Sequence, residues 1–323
     1  MGVERPRRLS LVVPAYNEAD GAVALVAFWR EVRARFADLD VELVVVDDGS
    51  TDGTAQAFTD LVSADDDAII VSLARNFGSH AALTAGFLEC SGDAAITLSA
   101  ERQEPLSAVV DFVEAWEDGA DIVWGLRSTR ASIGRAAVGS ATGFSKFFRE
   151  HSAVPTYPAE GPSQVLVTRR VLDVLNGMPE VNRNLMAMIA WVGFDQRRIF
   201  FEQLPRPYGT SKWTSRKKTK LVIDSFVQFS DAPIRWITLT GLTTAMVGAA
   251  LLLVALLAAL FEASFPVGFT VIAGLVVGFG GGVLGAIGLV GEYVWRAGDE
   301  ARRRPTHVVS RVVRGRHESD GLA

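Results

Sequence analysis

Short, mainly apolar runs alternate with longer mixed stretches in the N-terminal part of the chain. The apolar runs are residues 9–13, 41–46, 68–73, 94–98 and 121–124. A short run of mainly apolar residues without an alternating polar face indicates a strand buried on both faces, as in a parallel sheet covered by helices. The stretches between the runs are typical of helices and cover residues 18–36, 54–62, 81–89 and 106–117. The alternation predicts an α/β fold with a Rossmann-like, mainly parallel sheet.

Polar residues follow most of the predicted strands at the point where each strand ends. They are Tyr16 to Glu18, Asp47 and Asp48, Arg75 and Asn76, Ser99 to Glu104, and Arg127. Ligands of open α/β sheets bind beyond the carboxyl ends of the strands. The sequence therefore predicts a binding site built from these clusters.

Two long apolar segments, Ile237 to Phe261 and Val267 to Val294, lie in the C-terminal part of the chain. Each is longer than the roughly 20 residues that a membrane-spanning helix needs. The turn between them has no Lys or Arg, whereas Arg235 and Arg302 to Arg304 lie at the outer flanks. Because cytosolic flanks are enriched in Lys and Arg, both outer ends are expected in the cytosol. The alternative is a buried helical hairpin in a soluble core.

The chain is therefore expected to have four regions. They are a cytosolic α/β domain at 1–208, amphipathic membrane-surface helices at 209–235, a two-helix transmembrane hairpin at 236–297 and a cytosolic tail at 298–323. The surface helices would contact membrane lipids, with a solvated linker as the alternative. The tail is expected to begin with a short extended segment. No signal-peptide pattern is visible, so the expected location is the inner cell membrane, multi-pass, with both termini cytosolic.

Charge and cysteine content narrow the class of protein further. The formal net charge is −5, which gives no support for nucleic-acid binding. The single cysteine, Cys90, excludes an internal disulfide and is expected to be a buried small side chain. The histidines lack the spacing of metal ligands, and His80 is expected either to bind a phosphate or to lie at a helix N-terminus. Glycines in the second apolar segment favour helix–helix contact and leave a homo-oligomer open.

Several motifs resemble those of family-2 glycosyltransferases, which have the GT-A fold. They are VVPAYNE at 12–18, VVVDDGSTDGT at 44–54, RNFGSHAALTAG at 75–86, SAERQEP at 99–105 and SKWT at 211–214. Their order, with the two apolar segments, is similar to polyprenyl-phosphate glycosyltransferases of the dolichyl-phosphate mannose synthase type. The resemblance implies inverting transfer of a hexose from a nucleotide sugar to polyprenyl phosphate at the cytosolic face of the membrane. UDP-glucose is the assumed donor.

The resemblance also implies which residues bind the donor. The nucleotide-sugar residues would be Pro14, Ala15, Tyr16, Glu18, Asp47, Asp48, Ser99 and Ala100. A carboxylate accepts hydrogen bonds from a base N–H or a ribose hydroxyl, which suits Glu18 and Asp47. The alternative is that Asp47 and Asp48 only cap the following turn, and this structural role is expected for Ser50 and Asp52.

The family has a metal-binding run close to DADLQDP where this chain has Ser99 to Pro105. Glu101 and Gln103 keep oxygen ligands suited to Mg²⁺ or Mn²⁺, so the resemblance implies a divalent cation at these two residues. Arg102 stands where an apolar residue is usual, and its charge is expected to replace part of the metal's. A solvated charged loop is the alternative.

Basic residues are expected to neutralise the phosphates of both substrates. The implied catalytic set is Glu101, Arg127 and Lys212, and the implied lipid-phosphate set is Arg130, Lys212, Arg216 and Lys217. Charge-assisted hydrogen bonds from Lys and Arg are the strong contacts to phosphate. For Arg130 a surface turn is the alternative, and for Arg216 and Lys217 a contact with anionic lipid.

Ser163 is a second departure from the family pattern, which has DFRL-like residues at 163–166 with an Asp considered catalytic. A polyprenyl phosphate is already an anion near neutral pH, because its second pKa is about 6. It therefore needs no general base before it attacks a sugar. Two hypotheses follow: an active transferase, and a catalytically silent homologue that binds nucleotide sugar or lipid phosphate as a membrane scaffold or regulator.

Overall fold

The computed structural model describes residues 7–63, 66–128, 154–180, 184–204, scattered positions within 237–246, 269–302 and 304–315. Its strands are β1 (Arg8–Ala15), β2 (Asp40–Asp47), β3 (Ala68–Leu73), β4 (Ala94–Thr97), β5 (Ile122–Arg127), β6 (Gln164–Thr168), β7 (Gln196–Phe201) and β8 (Val309–Arg314). Its α-helices are α1 (Ala22–Arg35), α2 (Thr54–Leu61), α3 (Ser79–Glu89), α4 (Leu106–Glu117), α5 (Arg169–Gly177), α6 (Leu185–Trp191) and α7 (Phe269–Arg302).

The strands of the described part form one sheet in the order β7-β5-β6-β4-β1-β2-β3-β8. Strands β4, β1, β2 and β3 are parallel neighbours, and β5 pairs in parallel with β7. Strand β6 runs antiparallel between β4 and β5, and β8 runs antiparallel along β3. The predicted α/β fold with a mainly parallel sheet is confirmed.

Helices cover both faces of the central strands, which explains the continuous apolar runs. Along β1, Leu11 belongs to the core cluster that contains Trp29 of α1, whereas Val12 belongs to the cluster that contains Phe87 of α3. Helix α3 crosses β1 so closely that a Cβ at Gly86 would lie 2.4 Å from Val12 Cγ1. A larger residue at position 86 would push the helix away from the sheet.

The strands and helices predicted for the N-terminal part are confirmed to within a few residues. The apolar pattern does not predict β6 or β7. Most positions of β7 are partly or fully exposed, so its sequence lacks the continuous apolar run of a central strand. Strand β8 corresponds to the short extended segment expected after Arg304.

The expected membrane regions lie only partly within the described residues. The second apolar segment forms much of α7, whereas residues 247–268 and the expected surface helices at 209–235 lie outside the described residues. Within the described part of the chain, no helix has the combined length and apolarity that crossing a membrane requires. The predicted two-helix transmembrane hairpin over 236–297 is therefore not confirmed.

Candidate active site

The carboxyl ends of β1, β2, β4 and β5 lie at one edge of the sheet. Ala15 at the end of β1 pairs with Asp47 at the end of β2, and β4 runs parallel on the other side of β1. Because β6 runs in the opposite direction, its first residue Gln164 and the preceding Ser163 also lie at this edge. The predicted residues that the structure places there are Tyr16, Glu18, Asp47, Asp48, Ser99, Ala100, Glu101, Gln103 and Arg127.

Asp48 connects the loop after β2 to the start of α3. Its Oδ1 accepts a hydrogen bond from Phe77 N at 2.7 Å, and its Oδ2 accepts one from Gly78 N at 2.9 Å. Asp48 is 4% exposed. A carboxylate that accepts from two backbone N–H groups holds both segments firmly. Asp48 therefore has a structural role, although it joins two loops rather than capping the turn that follows it, and its contact with nucleotide stays a prediction.

A tight turn follows Asp47 at the end of β2. Asp47 Oδ1 accepts a hydrogen bond from Ser50 N, three residues further on, at 3.0 Å, so Asp47 caps this turn as the structural alternative expects. Gly49 has a φ of +68°, and a Cβ there would lie 2.3 Å from the carbonyl carbon of Arg75. Only glycine fits at this close approach. The turn keeps the buried Asp47 at the point where the loops after β1 and β2 meet.

Hydrogen bonds lock the loop after β1 to the loop after β2. Asn17 N donates to Ser50 Oγ at 2.9 Å, and Thr51 N donates to Asn17 Oδ1 at 2.9 Å. Glu18 N donates to Thr54 Oγ1 at 2.9 Å. Asn17 has a φ of 52°, in the left-handed region that asparagine tolerates. Ser50 therefore has a structural role, but it holds the loop after β1 rather than capping the turn that follows it.

Asp52 also has the structural role that the sequence predicts. Its carboxylate accepts hydrogen bonds from Ala19 N at 3.2 Å and from Thr54 N at 3.0 Å. Partial burial acts to raise the pKa of Asp52, but hydrogen bonds to its charged form outweigh that effect and leave the pKa below its usual value.

The loop from Ser99 to Pro105 brings the two predicted metal ligands into contact. Gln103 Nε2 donates to Glu101 Oε2 at 2.7 Å. In the same loop Ser99 Oγ is buried and has no hydrogen-bond partner within the described residues. An amide, a carboxylate and an unpartnered hydroxyl in one loop fit a cation that takes oxygen ligands. Nowhere in the described residues do three or more His, Cys, Asp or Glu side chains form a group that could hold a metal.

Arg102 does not have the position expected from the sequence. Its Nη2 lies 3.6 Å from Glu31 Oε2, and its guanidinium carbon lies 5.2 Å from the ring centroid of Phe28, both on α1. The turn between Ser99 and Arg102, with a φ of 51° at Arg102, places the side chain against that helix. The expectation that Arg102 replaces part of the metal's charge is wrong, because its charge pairs with α1.

Glu104 is the centre of a buried polar network that the sequence reasoning missed. Its Oε2 accepts from Ser99 N at 3.1 Å, and its Oε1 accepts from Gln164 Nε2 at 2.7 Å. Thr97 Oγ1 donates to Gln164 Oε1 at 2.9 Å, which extends the network into β4. Burial raises the pKa of Glu104, although the hydrogen bonds act against that rise. The network fixes the predicted metal loop to β6.

His80 holds the start of α6 rather than a phosphate in this structure. Its Nδ1 accepts a hydrogen bond from Leu185 N at 3.2 Å. Burial lowers the pKa of His80 to about 4, so the ring is neutral at pH 7. The ring lies in the first turn of α3, which agrees with the helix-terminus alternative.

Four predicted basic residues cannot be placed. Arg130, Lys212, Arg216 and Lys217 lie outside the described residues. Gln203, which follows β7, was not predicted at all, yet its Nε2 donates to Gln103 Oε1. Only the pairing of β7 beside β5 reveals this contact, since the two glutamines are far apart in the sequence.

Comparisons with known proteins find relatives along almost the whole chain. The family described as glycosyl transferase family 2 matches residues 10–171. The chain belongs to this family. It is 31% identical over 315 residues to the SfII prophage-derived bactoprenol glucosyl transferase of Shigella flexneri, covering 95% of this chain and 99% of that protein. It is 30% identical over 302 residues to an uncharacterized glycosyltransferase of Synechocystis sp., covering 94% of each.

The sheet of this family-2 glycosyltransferase is the GT-A, Rossmann-like α/β fold. The solved mannosyltransferase of Pyrobaculum calidifontis in complex with GDP-Man and Mn²⁺ is similar with a TM-score of 0.49 at 20% identity, covering 70% of this chain and 64% of that chain. The expected family and enzyme class are confirmed. The narrower expectation, a protein of the dolichyl-phosphate mannose synthase type, is not confirmed, because several relatives are named bactoprenol glucosyl transferases.

The family match spans the candidate site. It begins in β1 and extends into α5, so it includes the loops after β1, β2, β4 and β5 as well as β6. These are the elements that bring Asp47, Glu101, Gln103 and Arg127 to one edge of the sheet. The site therefore lies in the part of the chain that defines the family.

Proposed function

We propose that this family-2 glycosyltransferase transfers glucose from UDP-glucose to polyprenyl phosphate, with inversion at the anomeric carbon. The observation that carries the proposal is the meeting of Asp47, the Glu101–Gln103 pair and Arg127 at one edge of the sheet. Relatives that match almost the full chain, in Shigella flexneri and Escherichia coli, are named as bactoprenol glucosyl transferases or homologues of them. Bactoprenol is a polyprenol, which supports the acceptor class.

The donor is proposed to bind between the loops after β1 and β2. The residues proposed to contact it are Pro14, Ala15, Tyr16, Glu18 and Asp47, with Ser99 and Ala100 towards the diphosphate. The hydrogen bonds of Asn17 with Ser50 and Thr51 hold these loops together before any ligand binds. Preorganised loops lose little conformational freedom on binding, which favours affinity. Asp48 would support the donor indirectly, by fixing Phe77 and Gly78.

A divalent cation, Mg²⁺ or Mn²⁺, is proposed to bind at Glu101 and Gln103. Such cations are commonly held by one or two carboxylates together with substrate phosphates, which suits the small number of protein ligands in this loop. When bound, the cation neutralises the charge that develops on the departing nucleoside diphosphate. Arg127 is proposed to donate charge-assisted hydrogen bonds to the same phosphates.

The acceptor is proposed to attack without help from a general base. Ser163, at the position of the family's Asp, has a hydroxyl that does not act as a base near pH 7. The phosphate of the acceptor is already anionic, so no proton has to be removed from the nucleophile. Alignment of the phosphate is then the main requirement, and the proposed contacts are Arg130, Lys212, Arg216 and Lys217.

The reaction is proposed to occur at the cytosolic surface of the inner membrane. Helix α7 exposes a series of large apolar side chains, which are Ile272, Val276, Phe279, Ile287, Val290 and Val294. A contiguous apolar surface of this kind favours a lipid or protein neighbour over water. This exposure supports membrane attachment, with the two-helix hairpin over 236–297 and surface helices at 209–235 kept as proposals. A second copy of the chain is the alternative neighbour of α7.

The test is transfer of labelled sugar from a panel of nucleotide sugars to polyprenyl phosphate by the full chain in membranes. We expect product from UDP-glucose, loss of product on chelation of divalent cations, and a decrease of about 100-fold in Glu101→Ala, the scale of one lost electrostatic contact in a transition state. Product from another donor alone would change the sugar but keep the reaction. No product from any donor, with nucleotide still bound, would favour the catalytically silent scaffold.

A further inference from the structure

Gln103 lies between two side chains that bind opposite atoms of its amide. Its Nε2 donates to Glu101 Oε2 at 2.7 Å, and its Oε1 accepts from Gln203 Nε2. The backbone is tied as well, because Leu204 N donates to Gln103 O at 2.9 Å. Gln103 is only 5% exposed, so water has little access to its amide. The three side chains form one chain of hydrogen bonds that runs from Gln203 through Gln103 to Glu101.

The direction of this hydrogen-bond chain determines whether the loop presents an oxygen or an N–H group of Gln103 to a cation. In the observed direction an N–H of Gln103 faces the Glu101 carboxylate, and the oxygen of Gln103 faces Gln203. A hard cation is bound by oxygen atoms and not by N–H groups. For Glu101 and Gln103 to bind the same cation, the Gln103 amide has to turn over and bring Oε1 beside Glu101. Its Nε2 then faces Gln203.

Glutamine at position 203 can form a hydrogen bond with Gln103 in both directions of the hydrogen-bond chain. A primary amide has two N–H donors and a carbonyl acceptor. In the observed direction Gln203 donates through Nε2, and in the reversed direction its own amide turns and accepts from Gln103 Nε2. A side chain without an acceptor would leave a buried N–H of Gln103 unpaired in the reversed direction, which is unfavourable.

We propose that Gln203 is a positioning residue for the divalent cation, because its amide can accept from Gln103 Nε2 and so hold Gln103 Oε1 towards the cation. The inference rests on the proposed function, from which it takes Glu101 and Gln103 as the ligands. Gln203 lies two residues before the region 205–236, which carries the proposed acceptor-phosphate residues Lys212 and Arg216. The segment proposed to hold the acceptor is thus joined to the residue that orients a metal ligand.

The experiment measures Mn²⁺ binding to the full chain in detergent with UDP present, from the paramagnetic resonance signal of free Mn²⁺. Gln203→Met keeps the length but replaces the amide carbonyl by a thioether, which is only a weak acceptor, and it should raise the Kd for Mn²⁺ by about three- to tenfold, the effect of one net hydrogen bond. Gln203→Glu is an acceptor only, so it should hold Gln103 in the reversed direction and bind Mn²⁺ at least as tightly as the unmodified chain.

Leu204→Glu is the matched control for added negative charge. Leu204 is 41% exposed and lies one residue further along, so a carboxylate there attracts Mn²⁺ without replacing the amide of Gln203. Its effect on the Kd should stay within about twofold, since exposed charges interact weakly. Thermal unfolding of every variant shows whether a change in Kd comes from loss of folding. If Gln203→Met unfolds at a lower temperature than the unmodified protein, the Kd of Gln203→Glu is used to test the proposal instead.

Two results would overturn the proposal. One is a Kd for Gln203→Met that equals that of the unmodified chain, and the other is equal tightening in Gln203→Glu and Leu204→Glu. Both results leave the transferase reaction intact. Failure of the proposed function is seen separately, as an unmodified chain that binds Mn²⁺ with UDP but transfers no sugar. If the unmodified protein binds no Mn²⁺ with UDP present, the proposed metal site is wrong, and the proposed role of Gln203 is wrong with it.

Discussion

Arg127 Nε donates a hydrogen bond to Ser163 Oγ at 3.1 Å, between the end of β5 and the start of β6. The serine stands where the family pattern has an Asp. A hydroxyl orients the guanidinium but does not neutralise it, whereas an Asp would form an ion pair with it. The residue change that removes a candidate base therefore also changes the electrostatic role of Arg127.

Replacement of Arg127 by Met should lower kcat for sugar transfer about 100-fold, because a charged donor to the diphosphate is lost. Ser163→Ala removes only the orienting hydrogen bond and should lower kcat about two- to fivefold. Ser163→Asp should lower kcat by about tenfold through pairing with Arg127. Steady-state kinetics of all three variants check this order. A Ser163→Asp variant more active than the unmodified chain would favour a general base in the reaction.

Substitutions at Asp47 and Asp48 should have different effects: one should weaken UDP binding and the other should lower the stability of the fold. Asp48→Asn turns one acceptor towards Phe77 N or Gly78 N into a donor, so it should lower the free energy of unfolding by about 1–3 kcal/mol. Asp47→Asn keeps an oxygen for Ser50 N and should unfold near the original temperature, but it should bind UDP about tenfold more weakly, since the carboxylate is a stronger acceptor than an amide. Calorimetry and thermal unfolding measure the two effects, and equal behaviour of the two variants would contradict the assignment.

Glu104 should matter for the stability of the metal loop. Glu104→Ala leaves Gln164 Nε2 and Ser99 N without their acceptor in a buried position, so the free energy of unfolding should fall by about 3 kcal/mol. Glu114→Ala, at an exposed position of the neighbouring helix α4, is the matched control and should change it by about 0.5 kcal/mol or less. A double-mutant cycle with Gln164→Ala measures their coupling, which should be about 1 kcal/mol or more. Additive effects would show that the 2.7 Å contact contributes nothing.

His80 should make folding depend on pH between 6.5 and 4. Burial lowers its pKa from 6.5 to about 4 in the folded protein. As the pH falls through this window the unfolded chain takes up a proton on His80 and the folded chain does not, so stability is lost. His80→Asn keeps an acceptor for Leu185 N without titrating, and it should flatten the curve. His307→Asn is the control and should keep the slope, and a slope unchanged by His80→Asn would refute the assignment.

The sequence predicted the fold well where burial is continuous. The strands β1, β2 and β4 are buried at nearly every position, and the polar loops that follow them meet at one edge as expected. Arg102 was misjudged because a single positive φ in a turn decides which way its side chain points, and the sequence does not show that angle. Gln203 was missed because its contact with Gln103 depends on how β7 is placed in the sheet.

Strand β8 has a consequence for the order of synthesis. It follows α7 in the chain, yet it pairs along β3, whose end leads to the loop that Asp48 holds. Ala74 N, just after β3, donates to Val308 O at 2.8 Å, so the last strand reaches the beginning of that loop. Until the ribosome has made the chain beyond α7, the nascent domain carries an unpaired sheet edge, which is a site for aggregation or chaperone binding. The sheet edge beside the loop that Asp48 holds is therefore completed only after α7 has been synthesised.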